Sequence, residues 1–130
     1  ANPDMVGHTG DLQATIDACA FVDICVKKLI DCVDEVNGRY LITADHGNAD
    51  DMCQRAKKTN APLFDKETGA VIQCKSHTLA PVPVIIGGAG LPADVKFRDD
   101  LPDAGLANVA ATYINLIGFE APAKKVVSLV

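Results

Sequence analysis

The sequence predicts an α/β fold, a layered architecture with a mainly parallel sheet. Three observations carry that expectation. Residues 11–36 hold a long apolar stripe at helical spacing. Two short β-prone runs, 40–44 and 83–86, are apolar at successive positions, as in strands covered on both faces. A second helical pattern covers 105–117, giving the order helix, strand, hairpin, strand, helix, without internal repeats or low-complexity linkers.

In the first helix Leu12, Ile16, Cys19, Val22, Val26, Ile30 and Val33 recur at steps of three and four. Thr9 is the expected N-cap, Asp11 suits the first turn, and Asn37-Gly38 suits the stop. Asp23–Lys27 and Lys27–Asp31 pairs support its solvent face. At ~1.5 Å per residue it runs about 40 Å and crosses a whole layer. Gly38 ends it and "YLITA" follows at once, an αβ unit with a short connection. The second strand, "PVII", stops at Gly87-Gly88. Between the strands, "LFDKETGAVIQC" reads as a hairpin with its turn at 66–69 and with Val71 and Ile72 on the returning strand. Residues 95–98 fit a further short strand. In 105–117, Leu106, Val109, Ala110, Tyr113 and Leu116 share one side. The tail from Ala121 alternates too weakly to assign. One long helix and two central strands do not close a sheet of this kind, so neighbouring elements are missing from it.

At 130 residues and 13.7 kDa there is room for one domain and not for two. A hydrophobic content of 48% with 22% charged residues marks a globular chain, not a disordered one. The net charge of −5 excludes a basic nucleic-acid surface. The five cysteines, Cys19, Cys25, Cys32, Cys53 and Cys74, form no CxxC pair, and three lie in one helix where bridging is awkward. They read as reduced thiols of an intracellular, cytoplasmic protein. No apolar run approaches the ~20 residues of a membrane span, and no signal peptide is visible. The chain opens "ANPDMVGH", without a methionine and with its dense chemistry beginning at residue 2, which reads as a cut inside a larger protein.

The three histidines each stand beside acids or at strand ends. His8 lies four residues after Asp4 in "NPDMVGHTG", His46 follows Asp45 at the end of "YLITA", and His77 lies in the loop "KSHTLAPVPV". Open α/β sheets place their sites at such strand ends. Carboxylate and imidazole together suit zinc, manganese or cobalt, whereas magnesium prefers oxygen alone. Two carboxylates and three imidazoles give one ion three ligands and leave two for a neighbour. A dimetal pair ~4 Å apart binds both sides of a phosphoryl group and activates a hydroxyl nucleophile. Any one setting alone is more often a turn or a surface hydrogen bond. The three together favour metal. Gly7 and Gly47 flank the histidines where backbone must turn close to an ion. Asp50 and Asp51 read as a solvated acidic start to a short helical turn. Gly87-Gly88-Ala89-Gly90 matches neither phosphate-loop spacing and reads as a strand-end turn, and no GxSxG is present.

The three motifs "NPDMVGHTG", "ITADHGNAD" and "SHTLAPVPVI", in this order and at these intervals, resemble the C-terminal part of the cofactor-independent (2,3-bisphosphoglycerate-independent), metal-dependent phosphoglycerate mutases. That family is related to the alkaline phosphatases, and the resemblance runs from Asn2 to about Pro122. It implies a three-layer α/β/α, alkaline-phosphatase-like domain, of which residues 1–130 are the C-terminal portion of the metal-binding part. It implies two divalent ions, manganese preferred with magnesium or cobalt possible. By the match Asp4, His8 and His77 bind the first ion, and Asp45 with His46 binds the second. The family is a glycolytic isomerase that moves a phosphoryl group between 3-phosphoglycerate and 2-phosphoglycerate through a serine. That nucleophile, a further aspartate, a lysine and the substrate-gripping domain have no counterpart here, so no catalytic residue is assigned within this chain. The stretch "CQRAKKTNAPLFDKETGAVIQCK" fits the longer loop of plant- and protozoan-like members.

The full-length parent is therefore expected to be a monomeric mutase, and the 130-residue piece inactive, weakly metal-binding at most and prone to self-associate. Three alternatives stay open at this level. One is another phosphomutase or phosphatase of the same superfamily, whose discriminating residues would lie outside the chain. Another is a stand-alone metal-binding module, which would fold cooperatively by itself. The last is a remnant whose histidines make ordinary hydrogen bonds.

Overall fold

The long apolar stripe forms helix α2 (Leu12–Glu35), preceded by a short helix α1 (Asn2–Gly7). The computed structural model describes residues 2–122 and 126–130. Pro3 sits in the first turn of α1, where its fixed φ suits a helix and its missing N–H costs nothing. The N-cap of α2 is Asp11, not Thr9. Asp11 Oδ1 accepts the N–H of Ala14 at 2.9 Å and its carbonyl accepts that of Thr15 at 3.0 Å, while Thr9 Oγ1 accepts the N–H of Asp11. The expected stop holds: Asn37 takes a left-handed φ of 53°, and the N–H of Gly38 returns to Val33 O at 2.8 Å.

The chain groups into two units, one of residues 1–28 and 46–82, the other of residues 29–45 and 83–130. The second unit contains the sheet, strands β1 (Tyr40–Thr43) and β2 (Val84–Gly87). They pair antiparallel, Tyr40 opposite Gly87 and Thr43 opposite Val84. The expected mainly parallel sheet is thus not what the described residues form. The reason is the connection: the chain leaves β1 at Thr43 and re-enters β2 at that residue's own partner. Residues 44–83 are an expanded hairpin and contain no crossover helix, which a parallel pair would need. Beyond β2, the glycine-rich stretch is a strand-end turn. A Cβ on Gly90 would lie 2.0 Å from Asn37 O, and Gly88 has a φ of 119°, so this turn rides directly on the end of α2. It is tied there by Gly90 N–H to Gly38 O, Arg39 Nε to Gly90 O and Ala89 N–H to Asp34 Oδ1.

The buried residues of this second unit cluster around helix α3 (Val109–Leu116), which a 3-10 turn at Leu106–Asn108 precedes. Ala111, Thr112 and Leu116 are buried with Ser128 and Leu129 of the tail. The side expected inward differs: Leu106 and Tyr113 are exposed. The C-terminal residues decide this, since Thr112 Oγ1 donates to Asn108 O and accepts Leu129 N–H, both within 2.9 Å. Residues 95–98 form no strand; Arg98 N–H donates to Leu129 O, a single link. Thr112 is fully buried, so Thr112→Val keeps the shape and strands the Leu129 N–H, while Asn108 O, the N-cap carbonyl, keeps its place in the helix. The substitution is expected to cost about 1–3 kcal/mol, read as loss of amide-exchange protection at Leu129.

The first unit carries an internal repeat, against expectation. "AKKTNA" (56–61) and "DKETGA" (65–70) form the same turn, with Asn60 and Gly69 at positive φ (55° and 70°). In each, the first residue's N–H bonds the final alanine's carbonyl, and the fifth residue's N–H bonds the first's carbonyl, all within 2.9 Å. Gln54, Leu63 and Ile72, nine apart, close a ring: Leu63 N–H to Gln54 O, Ile72 N–H to Leu63 O and Gln54 N–H to Ile72 O, each 2.8 Å. The expected turn at 66–69 is the second of these two turns, and Val71 of the returning segment bridges Phe64. All five cysteines are free thiols. Among the described residues, no helix is long and apolar enough to cross a membrane.

Candidate metal centre

Asp4 sits on α1 and His8 one turn later, and the N–H of His8 closes onto Asp4 O at 3.1 Å. Residues four apart on one helical turn share a face, which puts carboxylate and imidazole side by side. His77 comes from a distant part of the first unit. Its neighbour Thr78 forms an antiparallel bridge with Gly47, the Thr78 N–H donating to Gly47 O at 2.9 Å. Asp50 fixes this join further by accepting the Thr78 hydroxyl with both oxygens, at 2.8 and 2.9 Å.

The three groups converge on one point. His8 Nε2 lies 3.1 Å from His77 Nε2 and 3.4 Å from Asp4 Oδ1, and His77 Nε2 lies 3.2 Å from the same oxygen. Among the described residues, Asp4, His8 and His77 form a group of acid and imidazole side chains close enough to share a cation. The donor set passes the test of fit. Two ligand atoms about 2.1 Å from one ion, at angles between octahedral and tetrahedral, stand about 3.0–3.4 Å apart. The observed triangle has those edges.

Electrostatics point the same way. His8 Nδ1 lies 2.7 Å from Lys75 O, and a carbonyl only accepts, so Nδ1 carries the proton and a neutral His8 presents the Nε2 lone pair. Two imidazole nitrogens 3.1 Å apart need something positive between them, either a proton on one or a cation. Asp4 supplies the negative partner. A hydrogen bond from Asn48, aided by the nearby imidazoles, holds its carboxyl below the usual carboxylate range. The side chains of Asp4, His8 and His77 remain 36–47% exposed, so the site faces outward.

His46 stacks on His77, ring centroids 3.6 Å apart and planes within 21°. It stands outside the converging triad, and Asp45, which is exposed, belongs to the second unit. The acids after them begin no helical turn; Asp50 is exposed, and both are tied to protein partners. Asp50 holds Thr78, and Asp51 accepts from Arg55 and from Cys53, the guanidinium chiefly pulling its carboxyl down to about 2. Asn48, Asp50 and Thr78 carry structural duties that no spacing rule announces. The sole hint was their adjacency to His46 and His77.

Comparison with known proteins agrees with these motifs. A family model described as the metalloenzyme superfamily matches residues 1–121. The chain is 60% identical over 129 residues to the 2,3-bisphosphoglycerate-independent phosphoglycerate mutase of Trypanosoma brucei brucei, covering 99% of this chain and 23% of that protein. With the maize enzyme of the same name it shares 59% over 122 residues, 94% of this chain and 22% of the relative. A solved structure of Leishmania mexicana phosphoglycerate mutase, determined at low cobalt concentration, superposes with a TM-score of 0.93 at 61% identity, over 98% of this chain and 23% of that one. The chain spans less than a quarter of the length of these relatives.

Proposed function

This chain belongs to the metalloenzyme superfamily, and we propose that it supplies metal-binding residues to a phosphoglycerate mutase that interconverts 3-phosphoglycerate and 2-phosphoglycerate. The observation that carries the proposal is the convergence of Asp4 Oδ1, His8 Nε2 and His77 Nε2 within 3.4 Å of one another. Those three side chains would hold one divalent ion. Asp45 and His46, adjacent in sequence after β1, would hold the second. A divalent ion there supplies positive charge against a phosphoryl group and favours the ionised form of a hydroxyl nucleophile. The names carried by relatives at 60 and 59% identity support the mutase over another phosphomutase or phosphatase of the superfamily.

The chain's own residues do the holding. Lys75 O fixes the tautomer of His8, Asp4 supplies the anionic ligand, and the Gly47–Thr78 bridge brings His77 to both. Manganese is the preferred ion, with magnesium or cobalt as substitutes. The cobalt named for the Leishmania structure is compatible with two imidazoles and a carboxylate. The domain is the C-terminal portion of a three-layer alkaline-phosphatase-like unit, in a cytoplasmic enzyme that is monomeric at full length and acts in glycolysis. The serine nucleophile, which would carry the phosphoryl group as a phosphoserine intermediate, and the substrate-gripping domain are read as lying outside these residues.

Phosphoryl transfer of this kind depends on a positioned nucleophile as well as on charge stabilisation, and these residues are read as contributing only to the second. The 130-residue chain with manganese and 3-phosphoglycerate is therefore expected to give no turnover above buffer in an enolase-coupled assay. Turnover that scales with chain concentration would contradict the proposal.

A further inference from the structure

The structure assigns a positioning role to Asn48: it orients the carboxylate of Asp4, and Gly7 leaves the space in which it does so. This inference rests on the cation-site reading above. Asn48 Nδ2 donates to Asp4 Oδ1 at 2.8 Å and to the Asp4 main-chain carbonyl at 3.2 Å. Both partners only accept, so the amide nitrogen must face them and the side chain has one orientation. Oδ1 is also the oxygen that approaches the two imidazoles. A carboxylate oxygen has two lone-pair directions. Asn48 occupies one and leaves the other aimed between His8 and His77. Without that bond, a side chain 36% exposed would be free to turn into water.

Gly7 explains why the amide fits. It lies on α1 three residues after Asp4 and is buried. A Cβ there would stand 2.2 Å from Asn48 Oδ1 and 2.9 Å from its Cγ, with Asn48 Nδ2 the next atom at 3.3 Å. Every atom it meets is the end of one flexible side chain. A methyl at Gly7 would therefore displace the amide and spare the helix. The second motif thus supports the carboxylate of the first, a coupling the linear sequence does not display.

The test is a Mn(II) titration of the 130-residue chain followed by electron paramagnetic resonance, with far-ultraviolet circular dichroism of the metal-free chain as the structural control. Asn48→Ala is expected to weaken Mn(II) binding about 10–100-fold, the usual effect of removing a group that orients a ligand, with helix content unchanged. Gly7→Ala is expected to do the same. The double variant should bind no more weakly than Asn48→Ala alone, because the methyl then has nothing to displace. Wild-type affinity in Asn48→Ala, or lost affinity accompanied by lost helix, would overturn the assignment; additive losses in the double variant would overturn the part given to Gly7. A metal-free measurement keeps the two readings apart. The Asn48 side-chain amide proton bonded to the carboxylate should move upfield in Asp4→Ala, and its failure to move would overturn the positioning role. If the wild-type chain binds no Mn(II), the cation reading falls, and this shift alone decides the role of Asn48.

Discussion

His8→Ala or His77→Ala is expected to lower Mn(II) affinity by on the order of 100-fold or more, beyond what loss of a merely orienting group causes. That factor corresponds to about 2.8 kcal/mol of binding free energy. The three donor atoms form a triangle with edges of 3.1, 3.2 and 3.4 Å, and removing one corner leaves two ligands on a half-exposed surface. Neither histidine anchors the core, which in the second unit lies around α3. A fall in affinity without a fall in helix content would therefore report on the site. Variants that bind Mn(II) as well as the wild type would favour ordinary hydrogen bonding at these histidines.

The second large effect concerns self-association. Only Ala111, Leu116 and Leu129 are buried hydrophobic residues among those described. On α2, Leu12, Phe21, Ile24 and Leu29 are 55–66% exposed and point to several sides of the helix, a distribution suited to burial all round. Exposure of this kind greatly exceeds the scattered apolar residues of an ordinary monomer surface. At tens of micromolar, the isolated chain is expected to sediment as species larger than a monomer, to bind the dye ANS and to melt over a broad range. A monodisperse monomer with a sharp two-state transition would contradict this and would favour a stand-alone module.

Several features were legible in the letters because they depend on local periodicity. The helical extent of α2, its stop at Asn37-Gly38, and the two short strands each need only near neighbours; the expected stripe does not mark a buried face, since Leu12 and Ile16 are exposed. The spacing of four between Asp4 and His8 is visible in the letters, but the short helix α1 that makes them neighbours was not expected. Other features depend on contacts distant in sequence. The antiparallel sense of β1 and β2 is set by where residues 44–83 return, which strand composition does not encode. His77 reaches Asp4 through contacts distant in sequence, the Thr78–Gly47 bridge and the bond of His8 to Lys75 O. The inward side of α3 is set by Leu129, seventeen residues after Thr112. Asp11 rather than Thr9 caps α2 because Thr9 instead donates its hydroxyl to Val6 O at the end of α1. The repeat of "AKKTNA" in "DKETGA" is present in the letters themselves. Without the ring joining Gln54, Leu63 and Ile72, it is indistinguishable from two unrelated turns.

Asp4, His8 and His77 are expected to grip one divalent cation together. The most direct measurement is a titration with Zn(II), a diamagnetic stand-in, that follows the imidazole nitrogens by long-range ¹⁵N correlation spectroscopy. Joint binding predicts that Nε2 of His8 and Nε2 of His77 shift together and saturate at the same metal ratio, while Nδ1 of His8 keeps its proton on Lys75 O. Nitrogens that stay unmoved, or that respond at separate metal ratios, would contradict it.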